Sequence, residues 1–339
     1  MGKTIYNNGV SPAIPYLSGT TIVSPTISSA SIDSVTSSLT NYNKPINTFV
    51  ALVTSSTTAA SSTDGITWTI NTLPSSSPSW QSVTYGNNTF VAVAYGTSQG
   101  ASSTDGTTWT LRTLPASVYW ISATFGNNTF VAISANNSTS AASSTDGITW
   151  TLRTLPLSRQ WKSVTYGNNT FVAVARYSTS AASSTDGITW TTRTLPASAA
   201  WGSVNYGNNT FVAVARASTN AATSTDGITW TTRTLPASTA LTSATFGNNT
   251  FVFVAYNSTA SASSTDGITW TTRTLPASAG WASATFGNNT FVAVAYDSST
   301  AASSTDGTTW TLRTMPAHRS WQAATFGTPT VSSRILQTL

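Results

Sequence analysis

The sequence predicts an all-β protein built from tandem repeats, and three observations support this prediction. Only 7% of the 339 residues are charged, and Ser, Thr, Ala and Asn are abundant. Thr, Val, Phe, Tyr and Trp, which favour strands, recur along the chain. Short apolar segments alternate with Gly and Asn turns at a period of about 40 residues. A fixed period of this kind indicates one repeat array.

The repeat is defined by two motifs that each occur seven times. Asn-Thr-Phe-Val is one, and Ser-Thr-Asp-Gly-x-Thr-Trp is the other. All 13 tryptophans belong to the repeat, because each Asp motif contains one and six others open the preceding strand. Leu241 takes that opening position in the remaining repeat. The motif aspartates are Asp64, Asp105, Asp146, Asp186, Asp226, Asp266 and Asp306.

Each repeat is predicted to contain four short strands. In the copy that spans residues 80–115, Gly86-Asn87-Asn88 and Asp105-Gly106 are predicted to be hairpin turns, because Gly and Asn tolerate positive φ. Pro115 is expected to end the last strand, since proline cannot donate to a β-ladder. The four predicted strands are Trp80–Tyr85, Phe90–Ala94, Ala101–Thr104 and Thr108–Leu114.

Four strands per repeat, repeated radially, predict a β-propeller with seven four-stranded blades. The array begins at Asn47–Val50, which is a second strand, and it ends at Trp321–Gly327, which is a first strand. We therefore expect the C-terminal strand to join the N-terminal blade and close the ring. The predicted division is an extended N-terminal arm at residues 1–43, the propeller at 44–327 and a C-terminal tail at 328–339.

Residues 47–327 resemble the Asp-box, or BNR-repeat, propellers. That family has Ser-x-Asp-x-Gly-x-Thr-Trp in the turn between the third and fourth strands of a blade, and Ser103–Trp109 is similar but lacks one residue between Asp and Gly. The shorter form looks like repeats of phage virion and bacterial surface proteins. The resemblance implies a propeller, and the box residues are predicted to stabilise turns. The alternative, seven isolated calcium sites, would have one carboxylate per turn, which is too few.

The ionisable residues favour a protein that is not an enzyme. Sialidases, the best-known enzymes with Asp boxes, use an arginine cluster, a Tyr with a Glu partner and an Asp. This chain has nine Asp and no Glu, almost all its Asp lie in turns, and His318 is its single histidine. We therefore expect no catalytic residues, no metal site and no cofactor.

Two of the four connections in a repeat vary between copies, and they are expected to lie on one face. One connection joins the second and third strands, and the other joins successive repeats. Varied polar and aromatic residues on a rigid frame are typical of a binding face, although drift in exposed loops would look the same. The candidate ligand-binding residues are Tyr95, Tyr119, Arg159, Arg176, Tyr177, Arg216, Tyr256 and Tyr296.

Six repeats also carry an arginine on the fourth, outermost strand. Charge on an edge strand prevents edge-to-edge association, and the alternative is a basic rim for polyanions. The arginines are Arg112, Arg153, Arg193, Arg233, Arg273 and Arg313, and Asn71 replaces them in the first repeat.

These observations favour a non-catalytic phage virion protein, appended to the tail or capsid, that recognises host surface glycans. Residues 1–43 are expected to anchor it to other virion proteins, and the lack of an apolar leader favours a virion. Neither nucleic acid nor membrane insertion is expected. The alternatives are a purely structural capsid or tail decoration and a bacterial surface adhesin, for which the location would be the bacterial cell surface.

Overall fold

The computed structural model describes residues 37–74 and 78–338, and within them the chain is all-β. Predictions for residues 1–36, 75–77 and 339 lie outside the described residues. Two strands at the ends of the described chain, β1 (Ser37–Pro45) and β28 (Thr330–Thr338), pair with each other in a two-stranded sheet. Nothing in the described residues is a helix of sufficient length and hydropathy to cross a bilayer.

The other strands follow the repeat. The first half of the array contains β2 Thr48–Val53, β3 Thr58–Ser62, β4 Thr69–Thr72, β5 Ser79–Gly86, β6 Thr89–Tyr95, β7 Thr97–Ser103, β8 Thr110–Val118, β9 Trp120–Gly126, β10 Thr129–Ser134, β11 Ser138–Ser144 and β12 Thr151–Arg159. The second half contains β13 Trp161–Gly167, β14 Thr170–Ala175, β15 Ser178–Ser184, β16 Thr191–Ala199, β17 Trp201–Gly207, β18 Thr210–Ala215, β19 Ser218–Ser224, β20 Thr231–Thr239, β21 Leu241–Gly247, β22 Thr250–Ser264, β23 Thr271–Gly287, β24 Thr290–Tyr296, β25 Ser298–Ser304, β26 Thr311–Arg319 and β27 Trp321–Gly327.

The prediction of seven separate four-stranded blades is wrong, because these strands form six propeller sheets. Five sheets have four antiparallel strands, in the orders β27-β2-β3-β4, β5-β6-β7-β8, β9-β10-β11-β12, β13-β14-β15-β16 and β17-β18-β19-β20. The sixth sheet has six strands, β21 to β26, and contains the last two complete repeats.

Gly280 is the physical reason for the merged sheet. Its backbone pairs with Tyr256 on β22 and with Tyr296 on β24, so that β23 runs from one repeat into the next without interruption. A Cβ at this position would lie 3.0 Å from the carbonyl oxygen of Tyr296 and 3.2 Å from Cε2 of Tyr256. A side chain at this position would be crowded from both sides, so glycine favours the simultaneous pairing with both strands.

The two ends of the repeat array pair as the sequence predicts. Strand β27 is antiparallel to β2, and the register runs from Thr48 opposite Gly327 to Val53 opposite Trp321. The closure also buries an inter-repeat contact, because the ring of Tyr85 covers the α-carbon of Gly327. The same aromatic-on-glycine contact joins the other consecutive repeats, as in Phe125 on Gly86.

The sequence predicts that the fourth strand of a repeat ends at its proline, and this prediction is wrong. Strand β8 continues through Pro115 to Val118. The pairing with β7 jumps between Thr97 opposite Val118 and Gln99 opposite Thr113, so the proline lies in a bulge. An outer strand with a bulge accommodates a residue that has no N–H group to donate.

The core lies between successive sheets and is built from the second strands. Phe90 and Val93 on β6 have no exposed surface, and the blade-opening Trp120 is also fully buried. The indole Nε1 of Trp120 donates to the carbonyl oxygen of Ala116 at 3.1 Å, which fixes the connection between repeats. Both faces of β6 are covered by neighbouring sheets, and this explains why the strand is apolar at every position from Phe90 to Ala94.

Within the predicted arm, residues 37–43 belong to strand β1, and residues 1–36 lie outside the described residues. A division of the chain by contacts gives a large unit, Tyr42–Ser333, that contains the whole repeat array. The predicted boundaries of the arm and the tail stay predictions.

Candidate ligand-binding site

The two hairpin turns of each repeat lie at one end of the array, which we call the constant end. In the turn at Asp64, the carboxylate Oδ1 accepts the N–H groups of Ile66 and Thr67, both at 2.8 Å. The hydroxyl of Ser62 donates to the same oxygen at 2.9 Å and accepts the N–H of Gly65 at 2.8 Å. The carboxylate and the hydroxyl are used to hold the turn, as expected for a structural motif.

These hydrogen bonds lower the pKa of the box aspartates. Burial by itself would raise the pKa of Asp64, but the N–H groups of Thr67 and Ile66 and the Ser62 hydroxyl favour the ionised form and lower it below 3.8. The pKa of Asp186 is lowered in the same way, against the effect of burial, by Thr189, Ile188 and Ser184. The ionised carboxylate is therefore part of the folded turn.

Neighbouring repeats are also joined at the constant end. The Asn87 amide Nδ2 donates to the carbonyl oxygen of Thr145, in the Asp-box turn of the next repeat, at 3.3 Å. Equivalent bonds run from Asn168 to Thr225 at 3.0 Å and from Asn208 to Thr265 at 2.9 Å. Asn87 and Asn88 themselves have φ of 45° and 58°, as a two-residue hairpin turn requires.

The two variable connections meet at the opposite end of the array, which we call the variable end. The N–H of Arg176, in the loop after β14, donates to the carbonyl oxygen of Gln160 in the preceding connection at 2.8 Å. Arg216 and Ala200 form the same bond at 2.9 Å. Every residue predicted to bind a ligand therefore lies at this end.

The structure divides the predicted residues into three groups. The rings of Tyr95 and Tyr119 pack together with centroids 4.5 Å apart. Arg159 and Tyr177 border an open depression of 450 Å³ between two repeats, which Arg176 also lines. A cavity of 340 Å³ is lined by Arg176, Arg216, Tyr256 and Tyr296.

The 340 Å³ cavity lies at the centre of the array, and we call it the axial pocket. Its floor is formed by one residue from each of five consecutive repeats, namely the residue that follows the strand-opening position. These residues lie on the first strand of each repeat, and the first strands are the innermost strands and contact one another. Small residues at three successive positions leave the space open. The full lining is Lys162, Arg176, Gly202, Arg216, Leu241, Thr242, Tyr256, Ala282, Tyr296 and Gln322.

Sequence reasoning missed the floor of this pocket, although a signal was present. The position after the opening residue differs in almost every repeat, while its neighbours hardly change. Such variation inside an otherwise constant strand indicates a position that the constant core does not restrict, and five of the seven residues at this position line the axial pocket. The residues at this position are Gln81, Ile121, Lys162, Gly202, Thr242, Ala282 and Gln322.

The axial pocket is positively charged. Burial, followed by the positive charges of Arg176 and Arg216, lowers the pKa of Lys162 to about 8. Within the described part of the chain, no carboxylate lines the pocket or forms an ion pair with these three side chains. Three cations in one cavity without an acidic partner create a field that attracts an anion.

Both arginines are held by aromatic rings. The guanidinium carbon of Arg216 lies 5.7 Å from the ring centroid of Tyr256, and that of Arg176 lies 5.3 Å from the ring centroid of Tyr177. The Nε of Arg176 is buried and has no hydrogen-bond partner among the described residues. These contacts orient the guanidinium groups and leave polar hydrogens available to a ligand.

The edge arginines are bonded within their own sheets. Arg112 Nε donates to Ser102 Oγ on the neighbouring strand at 2.8 Å, and Arg193 Nε donates to Ser183 Oγ at the same distance. The first repeat has an equivalent contact of 2.8 Å between the Asn71 amide and Ser61 Oγ. A neutral amide can make this contact, so the role shared by all seven repeats is the cross-strand bond, and edge protection and a polyanion rim both stay predictions.

The other charged groups at the variable end are exposed. His318 Nδ1 lies 3.9 Å from Asp297 Oδ1, with both side chains mostly accessible to solvent. Among the described residues, no three His, Cys, Asp or Glu side chains are close enough together to hold a metal ion. The axial pocket is therefore the site at which distinct chemical groups converge.

Solved structures of the same fold include enzymes and a peptide-binding protein. The chain matches a streptogramin B lyase with a TM-score of 0.66 and 12% identity, over 88% of this chain and 98% of the lyase. A virginiamycin B lyase from Staphylococcus aureus matches with a TM-score of 0.64 and 13% identity, over 70% and 85%. The protein YCF48 bound to a D1 peptide matches with a TM-score of 0.56 and 16% identity, over 78% and 85%.

These matches show a β-propeller with repeated blades. At such low identity they show the fold alone. Neither a protein-family model nor a curated protein sequence matches the chain, so the Asp-box resemblance stays a prediction.

The prediction that the chain is not an enzyme is corrected by the same comparison. Two of these structures are lyases, so the architecture accommodates catalysis. The prediction rested on the scarcity of Glu, Asp and His, but lysine and tyrosine also transfer protons. Lys162, whose pKa is lowered, and two tyrosines share the axial pocket, and a count of carboxylates does not exclude chemistry there.

Proposed function

We propose that this propeller is a recognition protein of an extracellular surface, and that it binds a surface glycan at its variable end. One observation carries the proposal. Four of the side chains that differ between otherwise near-identical repeats line one cavity together: Arg176, Arg216, Tyr256 and Tyr296. Aromatic rings pack against the apolar faces of sugars, and arginine donates several hydrogen bonds to hydroxyl and acidic groups.

The cavity has a suitable size for such a ligand. Its 340 Å³ lie near the lower end of the range of about 300–1,000 Å³ that small-molecule sites occupy. This volume suits one terminal sugar residue rather than a long chain segment. The rings of Tyr256 and Tyr296, with centroids 6.5 Å apart and planes at 55°, form an angled aromatic wall beside it.

We place the protein on a phage virion, with residues 1–43 attached to other virion proteins and the variable end directed to the host. A bacterial surface adhesin would use the same binding end. The resemblance of the repeats to phage and bacterial surface proteins supports these locations.

The test is the binding of the purified full chain to a panel of intact bacterial cells and to their extracted surface polysaccharides. We expect saturable binding to at least one polysaccharide. The variant Tyr256→Ala/Tyr296→Ala removes the aromatic wall and should reduce that binding at least tenfold. The matched variant Tyr95→Ala/Tyr119→Ala removes a tyrosine pair outside the pocket and should leave binding within about twofold of the wild type.

Equal losses in the two double variants would move the binding site away from the axial pocket. A folded protein that binds none of the cells or polysaccharides would contradict glycan recognition. That result would favour the structural decoration or spacer.

A further inference from the structure

We propose that the axial pocket binds an oxyanion, and that the glycan recognised at the variable end is an acidic saccharide whose carboxylate or phosphate group enters this pocket. This inference rests on the proposed function for the saccharide. Its anion requirement rests on the charges and geometry of the pocket alone.

The first argument is the composition of the pocket. Lys162 on β13 and the loop residue Arg176 come from one repeat, and the loop residue Arg216 comes from the next repeat along the array. A ligand in the pocket faces all three cations, since all of them line the same cavity. Oxyanions are the groups that lysine and arginine bind best, because each N–H donor forms a charge-assisted hydrogen bond.

The second argument is that this charge has little compensation nearby. The carboxylates of the seven Asp-box turns accept hydrogen bonds from their own turns at the constant end. Asp297 at the variable end faces His318 and is exposed. Three like charges that share one cavity repel one another, so a bound anion would relieve a repulsion that the folded chain itself maintains.

The third argument is the arrangement of small residues. Gly202, Thr242 and Ala282 follow Lys162 around the floor of the pocket, whereas Gln322 and Gln81 meet on the other side, with Gln322 Nε2 3.3 Å from Gln81 Oε1. The two glutamines therefore occupy one side of the centre of the array, and the side next to the cations is open. The empty volume of the axial pocket and its positive charge lie at the same place.

The titration of Lys162 adds a measurable signature. Its pKa is lowered to about 8 by burial and by Arg176 and Arg216, and Tyr256 and Tyr296 are the other titratable groups in the lining. An anion favours the protonated lysine. Affinity is therefore expected to be highest below pH 8 and to fall as the pH rises through that value, because the free lysine loses its charge.

The experiment is calorimetric titration of the full chain with matched ligands. Methyl esterification of tri-galacturonate neutralises its carboxylates and adds one methyl group to each, and mannose 6-phosphate and mannose differ only in the phosphate. Inorganic phosphate tests the anion site without a sugar. We expect at least one acidic saccharide to bind tenfold or more tightly than its neutral partner, and the better of the two identifies the carboxylate or the phosphate as the recognised group.

Three variants assign this preference to the pocket. Lys162→Gln introduces the residue that stands at the same position in two other repeats, and it should reduce the preference for the charged ligand at least fivefold. Ala282→Gln fills the open side without changing charge and should weaken both members of a pair. Arg193→Gln removes a guanidinium from an outer strand and should change neither affinity.

The outcomes separate the two proposals. Equal binding of acidic and neutral saccharides would overturn the oxyanion inference and leave glycan recognition standing. Binding of inorganic phosphate that depends on Lys162, without binding of any saccharide in the cell and titration experiments, would support the oxyanion site and contradict glycan recognition. The absence of binding by every ligand, phosphate included, would overturn the oxyanion site.

Discussion

The constant and variable ends of the array are made from the same strands but obey different constraints. At the constant end the serine hydroxyl and the carboxylate of the Asp-box turn bond within that turn, and the Asn87 amide bonds to the next repeat. At the variable end the recurring bonds between the loops are backbone bonds such as Arg176 to Gln160, which allow the side chains to differ. The repeat is therefore constrained at one end and diversified at the other.

Glycine offers the sharpest way to test this comparison. A Cβ at Gly126, at the constant end, would lie 1.9 Å from Cγ of Tyr166 in the next repeat. A Cβ at Gly202, in the axial pocket, would have no contact closer than the 3.4 Å to the carbonyl oxygen of Leu241. We expect Gly126→Ala to lower the free energy of unfolding by about 3 kcal/mol, and Gly202→Ala to change it by less than about 0.5 kcal/mol.

Urea denaturation of both variants measures the two effects. The change is chemically identical at the two positions, so each variant is the control of the other. Similar losses would show that the variable end is packed as tightly as the constant end.

Acid should act on the constant end. The pKa of each box aspartate is below 3.8 in the folded state. The ionised carboxylates therefore contribute stability that is present above that pH and is lost as the pH falls toward the folded-state pKa. Asp186→Asn should lower the free energy of unfolding at pH 7 by about 1 kcal/mol, since it weakens charge-assisted bonds.

Urea midpoints at pH 7 and pH 3 check this prediction. The difference between wild type and Asp186→Asn should shrink at the lower pH, because the carboxyl group of Asp186 takes up a proton in the unfolded chain more readily than in the folded turn. A difference that is constant with pH would show that the carboxylate charge does not matter to the turn.

The smallest expected effect lies at the variable end. Tyr177 has a φ of 52°, which is unfavourable for a bulky side chain, and 65% of its surface is exposed. Asn257, at the equivalent position, has a φ of 48°. Tyr177→Asn should raise the free energy of unfolding by about 0.5 kcal/mol, because asparagine tolerates this conformation better.

Thermal denaturation of Tyr177→Asn measures that gain, and Tyr119→Asn is a control at a position where φ is not positive. A loss of stability in Tyr177→Asn would show that the contact between Arg176 and Tyr177 outweighs the backbone strain. In that case this part of the variable end would be more constrained than the comparison suggests.

The sequence predicted the parts of this structure that local chemistry decides. Alternating Gly-Asn-Asn and Asp-Gly turns delimit short strands, and the strand at which the array begins and ends predicted the pairing of β27 with β2. The Asp-box turns followed from the acceptors that Ser and Asp supply. The candidate residues at the variable end were identified because they differ between repeats.

The merging of β21 to β26 into one sheet could not be predicted in the same way. It depends on Gly280 pairing with both Tyr256 and Tyr296. These two tyrosines belong to different repeats, so the pattern of a single repeat does not reveal that one residue contacts both. The continuation of β8 past Pro115 likewise depends on a bulge against β7. Both are decided by how closely two backbones approach.

The repeat, the turns, the buried second strands and the end of the molecule at which variation occurs could all be inferred from the sequence, because each of these depends on contacts within one repeat. The sequence did not show that Arg176, Arg216, Tyr256 and Tyr296 share a cavity with Lys162, whereas Tyr95 and Tyr119 lie outside it. These residues come together because the cavity is formed by five inner strands around one axis. Its shape and charge depend on which repeats are neighbours in the ring.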